Sequence, residues 1–531
     1  MDREVLRKKR TGSRTDCKTY NGTSRTFRFL PCIERQHFLI QQVMSLPSTT
    51  PPDTALHWQT TLTRPSVEFD VEDESSCEEV DQDGAPTEAD IMTVTAELTL
   101  VDLFRPELIS VCKDIVSKDE LSDVVRQKLR YAALSHRWLS VGEPTFQEMS
   151  VERKHQSTRP GLIKLRNFCQ KAREYGCRLA WSDTCCIDKK SSAELDEAIR
   201  AMFKWYRNAE ICIVFLADSS SISDFSEEVW FQRGWTLQEL LAPPRIKFYG
   251  RHWDELSRSR NDKEDHSMLE ALSHVTGISR QNLLYFSPGL VDVREKMIWA
   301  SKRRTTRVED IAYSLIGILN ISLNVAYGEG ERAFRRLMEA IIQSCREWQI
   351  LAWAGPHSPF QASIPRSPLA YCAFDEASAT MLLPNRYITD RPSKLGDPFF
   401  TMTKRGLELE VILVEMMLQQ PAPRRPGGTQ KKTQTIRLIS DSADFFDVTA
   451  QCDITLLPFS QWAVAIVNYR ADESGKRGGV GKLKPANDYL CFILGSSIHS
   501  AHGGWQKVET QKIVTIRTKR EMYQRVTTVW L

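Results

Sequence analysis

Residues 178–218 read RLAWSDTCCIDKKSSAELDEAIRAMFKWYRNAEICIVFLAD, with a short apolar run on either side of a helical pattern. The runs are residues 179–181 and 211–216. Between them Leu195, Ile199, Met202, Tyr206 and Ala209 recur at the spacing that places them on one face of a helix. Ser191, with Glu194 three residues on, supplies a capping box for the start of that helix. The order is strand, helix, strand, and the polar and reactive side chains collect just after each strand.

The same alternation continues outward. Upstream, residues 131–134 are an apolar run ending in Ser135-His136-Arg137-Trp138. Leu162, Leu165, Phe168, Cys169, Ala172 and Tyr175 then lie at helical spacing before Gly176, which sits where a left-handed cap would. Downstream, WFQRGWTLQELLAPPRIKFYG (230–250) supplies a helix stopped by Pro243-Pro244 and a fourth strand at 245–249. Four strand–helix alternations predict a parallel sheet covered on both faces, and so an α/β unit over 131–250. Residues 251–355 predict a helical extension packed on it, with segments at 291–301 and 310–319. A third carries Phe334, Leu337, Met338, Ile341, Ile342 and Cys345 on one face, and 348–353 reads as a strand. From 356 to 531, short β-rich runs (399–403, 407–416, 435–439, 463–469, 489–494, 513–517, 526–530) alternate with Pro-, Gly- and Lys-rich connections. They predict a β-rich C-terminal domain, an antiparallel sandwich or barrel.

At 531 residues the chain is too long for a single core. Residues 1–90 predict a disordered tail. It is basic at Arg7-Lys8-Lys9-Arg10, then acidic, with eleven Asp or Glu and no Lys or Arg over 68–90, a block that repels itself and buries little. Residues 91–130 read as a lead-in with a helical pattern at 120–129. The 71 basic and 68 acidic side chains leave a net charge of +3, which gives no global field to attract nucleic acid or an anionic membrane. No apolar run approaches the roughly 18 residues of a membrane span, and MDREVLRKKR lacks a hydrophobic signal region. The expected location is cytoplasmic, with Arg7-Lys8-Lys9-Arg10 a candidate nuclear import run. Thirteen cysteines without C-x-x-C pairs predict buried, reduced thiols, and no Cys/His spacing suggests a metal.

In an open α/β sheet, ligands bind beyond the carboxyl ends of the strands. Ser135, His136, Arg137 and Trp138 follow the first strand. Asp183, Thr184, Cys185 and Cys186 follow the second, and Asp218 with serines 219–221 follows the third. An Arg, a His, a carboxylate and aromatic faces together suit a phosphate-bearing or nucleotide-like ligand. A purely structural alternative has Asp183 capping its loop, His136 bonding a backbone carbonyl and Trp138 in the core. Cys185-Cys186 beside His136 and Asp188 could supply a thiol nucleophile, although adjacent cysteines in extended chain face opposite ways. Tyr327-Gly328-Glu329-Gly330 lacks the spacing of a phosphate loop and reads as the turn before a helix begun by Glu331.

Trp235 and Glu239, at i and i+4, share a helix face, so the indole can hold the carboxylate in a partly dry niche and raise its proton affinity. The alternative is a surface ion pair with Arg233 or Arg245. If one helix ran from Ser226, Glu239 would lie ~13 residues, roughly 20 Å, from the strand ends. A role in the cleft therefore requires 229–232 to be a separate turn and the helix to restart near Gly234.

YAALSHRW, LAWSDTCCID, ELDEAIRAMFKWYRNAEICIVFLAD and WFQRGWTLQELLAP, in that order, resemble the fungal heterokaryon-incompatibility (HET) domain family. TTRVEDIAYSLIGILNISLNVAYGEGERAFRRLMEAIIQS resembles the region that follows the domain in many members, so the resemblance covers about 131–355. One departure is His136-Arg137-Trp138-Leu139, where the family usually has Tyr-x-Trp-Gly. The family is associated with rejecting fused hyphae of unlike genotype by a cell-death reaction. It is also distantly similar to Toll/interleukin-receptor (TIR) domains, which implies a TIR/flavodoxin-like sheet. Gly234-Trp235-Thr236-Leu237-Gln238-Glu239-Leu240 resembles the TIR helix whose glutamate, in enzymatic members, helps split the nicotinamide–ribose bond of NAD. The resemblance thus implies NAD as a substrate rather than a cofactor, with Glu239 as the catalytic group. Ser135, His136, Arg137, Trp138, Asp183 and Trp235 would be its binding residues, with activation by self-association or by an unidentified protein partner. The competing reading is a non-enzymatic signalling module that acts by self-association.

Overall fold

A computed structural model describes residues 130–150, 158–177, 179–372, 400–419, 433–453, 459–471, 479–485, 487–496 and 504–531, with the backbone of three further strands. The first of its two large sheets has seven strands. They are β1 (Arg25–Phe29), β2 (Pro65–Val71), β3 (Ala96–Glu97), β4 (Tyr131–His136), β5 (Leu179–Ser182), β6 (Ile211–Phe215) and β7 (Ile246–Tyr249). In space they run β3-β2-β1-β5-β4-β6-β7. The block from β1 through β5, β4 and β6 to β7 is parallel, and β2 and β3 extend it antiparallel. Every residue of β4, β5 and β7 is buried, as a sheet covered on both faces requires. From β4 the chain steps to one side for β5, then across to the other for β6 and β7. That reversal opens a crevice at the carboxyl end of β4.

Two strands fall inside the stretch expected to be a disordered tail. Phe27 and Phe29, then Val67, Phe69 and Val71, alternate with the period of two that marks a strand, and the surrounding charge outweighs that signal in the sequence. The rest of 1–90, including the basic run, and the helical pattern at 120–129 lie outside the described residues.

The helix Ser192–Asn208 starts where its sequence says it should, with Ser191 Oγ accepting the Glu194 N–H at 3.3 Å. The Glu194 carboxylate accepts the N–H of Asp188 at 3.1 Å, which pins the loop after β5. The helix Pro160–Glu174 ends before Gly176, whose φ of 75° is the left-handed cap.

The helical extension contains His266–Thr276, Arg280–Leu284, Val293–Ser301, Asp310–Leu319 and Arg332–Ser344. Asp310–Leu319 packs on Ser192–Asn208 at Gly317, where a Cβ would come within 2.4 Å of Phe203 Cβ. Gly317→Ala should therefore destabilise the protein by about 1–3 kcal/mol through overpacking, read as a lower urea midpoint. An unchanged midpoint would mean that the two helices can separate at no cost.

The segment expected as a strand at 348–353 is instead a single 3-10 turn, Trp348–Leu351. The Glu347 carboxylate accepts the N–H groups of Asp292 and Val293 at 2.9 and 3.1 Å, so this turn is tied to a helix start rather than to a sheet edge.

The second sheet has eleven strands, and its pairings are antiparallel. Its longest strand, Gly406–Gln419, pairs with Met522–Trp530 at 408–412 and with Gln461–Ile466 at 412–416. Alternation along it serves two cores. Leu407, Leu409 and Val411 join the core of the α/β unit, while Ile412, Val414 and Met416 face a second core with Val464, Ile466 and Ile493. Among the described residues no helix is long and apolar enough to cross a membrane.

Candidate functional site

The helix carrying Glu239 does not begin at Ser226. Val229–Gln232 is a separate 3-10 turn, and the α-helix runs from Thr236 to Leu241. The break has local causes. The single Thr236 hydroxyl proton is shared between Trp230 O (2.7 Å) and Arg233 O (2.9 Å), which closes the turn. Gly234 lets another segment approach, because a Cβ there would meet Thr305 Cγ2 at 2.5 Å. Pro243-Pro244 follow the other end.

The restart brings Glu239 under the end of β4. The carboxyl is 7% exposed, and Ser135 Oγ donates to its Oε2 at 2.5 Å. Trp230 Nε1 donates to the same Ser135 oxygen at 2.9 Å, so the serine proton points at Glu239. Tyr206, whose hydroxyl donates to Leu134 O at 3.1 Å, also reaches the carboxyl. Burial, then the negative charge of Asp183, pushes the Glu239 carboxyl up to about 8, against the opposing effects of Ser135, Arg233 and Tyr206. Near neutral pH it is mostly a protonated acid. Arg245 pairs with Glu210 at 2.5 Å rather than with Glu239, and Arg233 acts on the carboxyl through its charge without a hydrogen bond.

Asp183 organises the opposite wall. His136 Nε2 lies 3.2 Å from its Oδ1, and Trp138 Nε1 donates to its Oδ2 at 2.8 Å. Burial opposes ionisation of Asp183, but His136, Lys189 and Trp138 hold its carboxyl below the ordinary value. Burial, then Lys164, lowers the proton affinity of His136, against the opposing effects of Asp183 and Glu143. Lys189 Nζ stands 4.5 Å above the Trp138 ring and donates to the carbonyls of Asp183 and Thr184. The structural alternative fails at two points, since His136 meets a carboxylate rather than a carbonyl and Trp138 is 40% exposed.

These groups line a cleft of about 330 Å³, within the range of ligand sites. Of the residues singled out from the sequence, His136, Trp138, Asp183, Trp235 and Glu239 line it. Ser135 lies behind Glu239, and both it and His136 are the last residues of β4 rather than loop residues. Arg137 is not among the lining residues. It alternates outward from His136 and pairs with Asp218 at 2.8 Å, which takes both the Arg and the 218–221 loop away from the cleft. Cys185 and Cys186 are both buried, and burial raises the Cys186 thiol well above its ordinary value, which argues against a thiolate nucleophile.

The sequence reading missed the remaining wall. Arg304, Thr305, Thr306, Arg307, Asp310 and Tyr327 come from the helical extension. Trp235 and the Tyr327 hydroxyl both hydrogen-bond Asp310, the latter at 2.8 Å. Gly328 and Gly330, both at positive φ, donate to Glu309 and form the turn expected before the helix. The available signal was SKRRTTR (301–307), four cations in a seven-residue link between helices.

Residues 131–226 match the family described as heterokaryon incompatibility protein (HET). The resemblance to the heterokaryon-incompatibility family read from the sequence is thereby borne out. The vegetative incompatibility protein HET-E-1 of Podospora anserina is 40% identical over 227 residues, which make up 40% of this chain and 16% of that protein. The chain thus covers a small part of that relative's length. No solved structure matches the chain. The HET-matching stretch holds Ser135, His136, Trp138, Asp183 and Lys189. Arg233, Trp235, Glu239 and the 302–307 loop follow it, so the cleft is completed by residues beyond the matched segment.

Proposed function

We propose that this chain is a heterokaryon-incompatibility effector that triggers cell death in fungal non-self recognition, and that its cleft hydrolyses the nicotinamide–ribose bond of NAD. The observation that carries this reading is the buried Glu239 carboxyl facing a cleft with two indoles and several cations on its walls. The C–N bond breaks with its electron pair leaving on nicotinamide, which departs neutral. Water adds to the oxocarbenium-like ribosyl centre and releases a proton. Ionised Glu239 stabilises the positive charge in that transition state, and its preorganised partners Ser135 and Trp230 keep it aimed. Trp138 and Trp235 supply aromatic faces for the departing ring, and Asp183 with His136 holds the ribose side. A cationic substrate ring favours the ionised form of a carboxyl that is mostly protonated in the empty cleft. The TIR-like reading of the sheet belongs with this proposal, as does activation by self-association or by a protein partner.

The test is nicotinamide release by the purified full chain, forced to cluster, compared with Glu239→Gln. The expected loss is at least 100-fold, the order of a removed electrostatic stabiliser. No release by the clustered parent, or equal release by both, would end the enzymatic reading. If cell death then depended on surface charges of the helix Ser192–Asn208, an interaction module acting by self-association would replace it.

A further inference from the structure

Resting on that reading of the cleft, we infer that Arg233 and Arg304 form a two-pronged clamp for the diphosphate of the bound nucleotide. The clamp is assembled from two separate parts of the chain, the approach to the Glu239 helix and the loop 302–307.

Four cationic side chains line the cleft: Lys189, Arg233, Arg304 and Arg307. Two are already engaged. Lys189 bonds two carbonyls and covers Trp138, and the Arg307 guanidinium lies 4.2 Å from the Tyr327 ring centre. The guanidiniums of Arg233 and Arg304 have no hydrogen-bonded or ion-paired partner among the described residues. Their backbones are nevertheless fixed. Arg233 and Arg304 form an isolated parallel β-bridge, with Gly234 N donating to Arg304 O at 2.9 Å and Arg304 N to Gln232 O at 2.6 Å. Arg303 adds a brace by donating to Arg233 O at 2.9 Å and to Thr236 Oγ1 at 2.8 Å.

Residues facing each other across a β-bridge send their side chains to the same side, and both arginines line the one cleft. Neither guanidinium is hydrogen-bonded among the described residues, so their donors are available to an anionic ligand. Planar forks match phosphate oxygens bidentately, one fork to each phosphate. The charge balance of the walls agrees. Lys189, Arg233, Arg304 and Arg307 outnumber Asp183, Asp310 and Glu239 on the walls, so the cleft keeps an excess of positive charge whether or not Glu239 is ionised. Gly234 is the condition for the whole arrangement, since any Cβ there would push the loop away through Thr305.

The experiment uses the full-length Glu239→Gln protein, which separates binding from turnover. Its affinities for ADP-ribose and for inorganic pyrophosphate are measured by calorimetry, then repeated with Arg233→Ala and with Arg304→Ala added. Each added change should weaken ADP-ribose binding at least 10-fold, and Arg304→Lys should fall between parent and alanine because it lacks the fork. Melting curves of each variant check that the fold is intact. ADP-ribose affinity unchanged by both alanine variants, or no binding of ADP-ribose and pyrophosphate by the parent, overturns the clamp. The two proposals fail separately. Arginine-dependent pyrophosphate binding without nicotinamide release would keep the clamp and discard the hydrolysis. Nicotinamide release by the chain with intact Glu239, alongside arginine-independent ADP-ribose binding, would do the reverse.

Discussion

Glu239→Gln should raise the melting temperature of the protein at pH 8.5 by about 4 °C and leave it almost unchanged at pH 5. The folded chain holds this carboxyl at about 8, against an ordinary 4.5, because burial and the Asp183 charge both penalise its ionised form. Between those two values the unfolded chain has released the proton while the folded chain still binds it. Stability therefore falls as pH rises through that window, is fully retained below 4.5, and reaches its full loss above about 8. The loss is on the order of 4 kcal/mol for a group this deeply buried. The amide of glutamine cannot ionise, so the variant escapes it while its oxygen still accepts from Ser135.

The same substitution is expected to abolish nicotinamide release. A change that stabilises the fold while removing activity is the mark of a group held in an unfavourable state for its chemistry. Melting curves at pH 5 and 8.5 decide the matter. A variant that is less stable than the parent at both pH values would show that the carboxylate is a structural tie.

Much of this was legible in the sequence, for identifiable reasons. The strands β4 to β7 are short apolar runs set off by helical periodicity, and Pro243-Pro244 and Gly176 punctuate them at the positions found. The spacing of Trp235 and Glu239 puts both on the cleft, but the indole bonds Asp310 while Ser135 and Tyr206 reach the carboxyl. The partner of Glu239 was less accessible. Ser135 lies 104 residues away, and only the register of β4 with β5 and β6 puts its hydroxyl against the carboxyl. Arg137 was misjudged by one position. Strand β4 continues through His136, so its side-chain alternation sends Arg137 outward to Asp218. Arg304 left almost no trace, because a loop's contribution to a cleft depends on what packs against it. In this case the decisive contact is with Gly234, 70 residues upstream. The strands β1 and β2 were hidden for a different reason: their apolar alternation sits in a stretch whose charge argues against any burial.

The pH profile of NAD hydrolysis should carry the signature of Glu239 and should move in opposite directions when its two neighbours are changed. If the ionised carboxyl is the working form, kcat/KM for the free enzyme rises with a limb near 8 and is about tenfold below its plateau at pH 7. The Ser135 hydroxyl donates to the carboxylate and holds its proton affinity down, so Ser135→Ala should shift the limb to higher pH. Asp183 acts the other way, because its negative charge disfavours a second one nearby. Asp183→Asn removes that charge and should shift the limb to lower pH, even as it lowers the plateau. The lower plateau follows because an amide can accept from only one of His136 Nε2 and Trp138 Nε1, where the carboxylate accepts from both. A general loss of folding would depress the whole profile without moving the limb, so the position of the limb separates tuning of Glu239 from damage. If both substitutions shifted it in the same direction, or neither did, the titrating group would have to be sought elsewhere in the cleft.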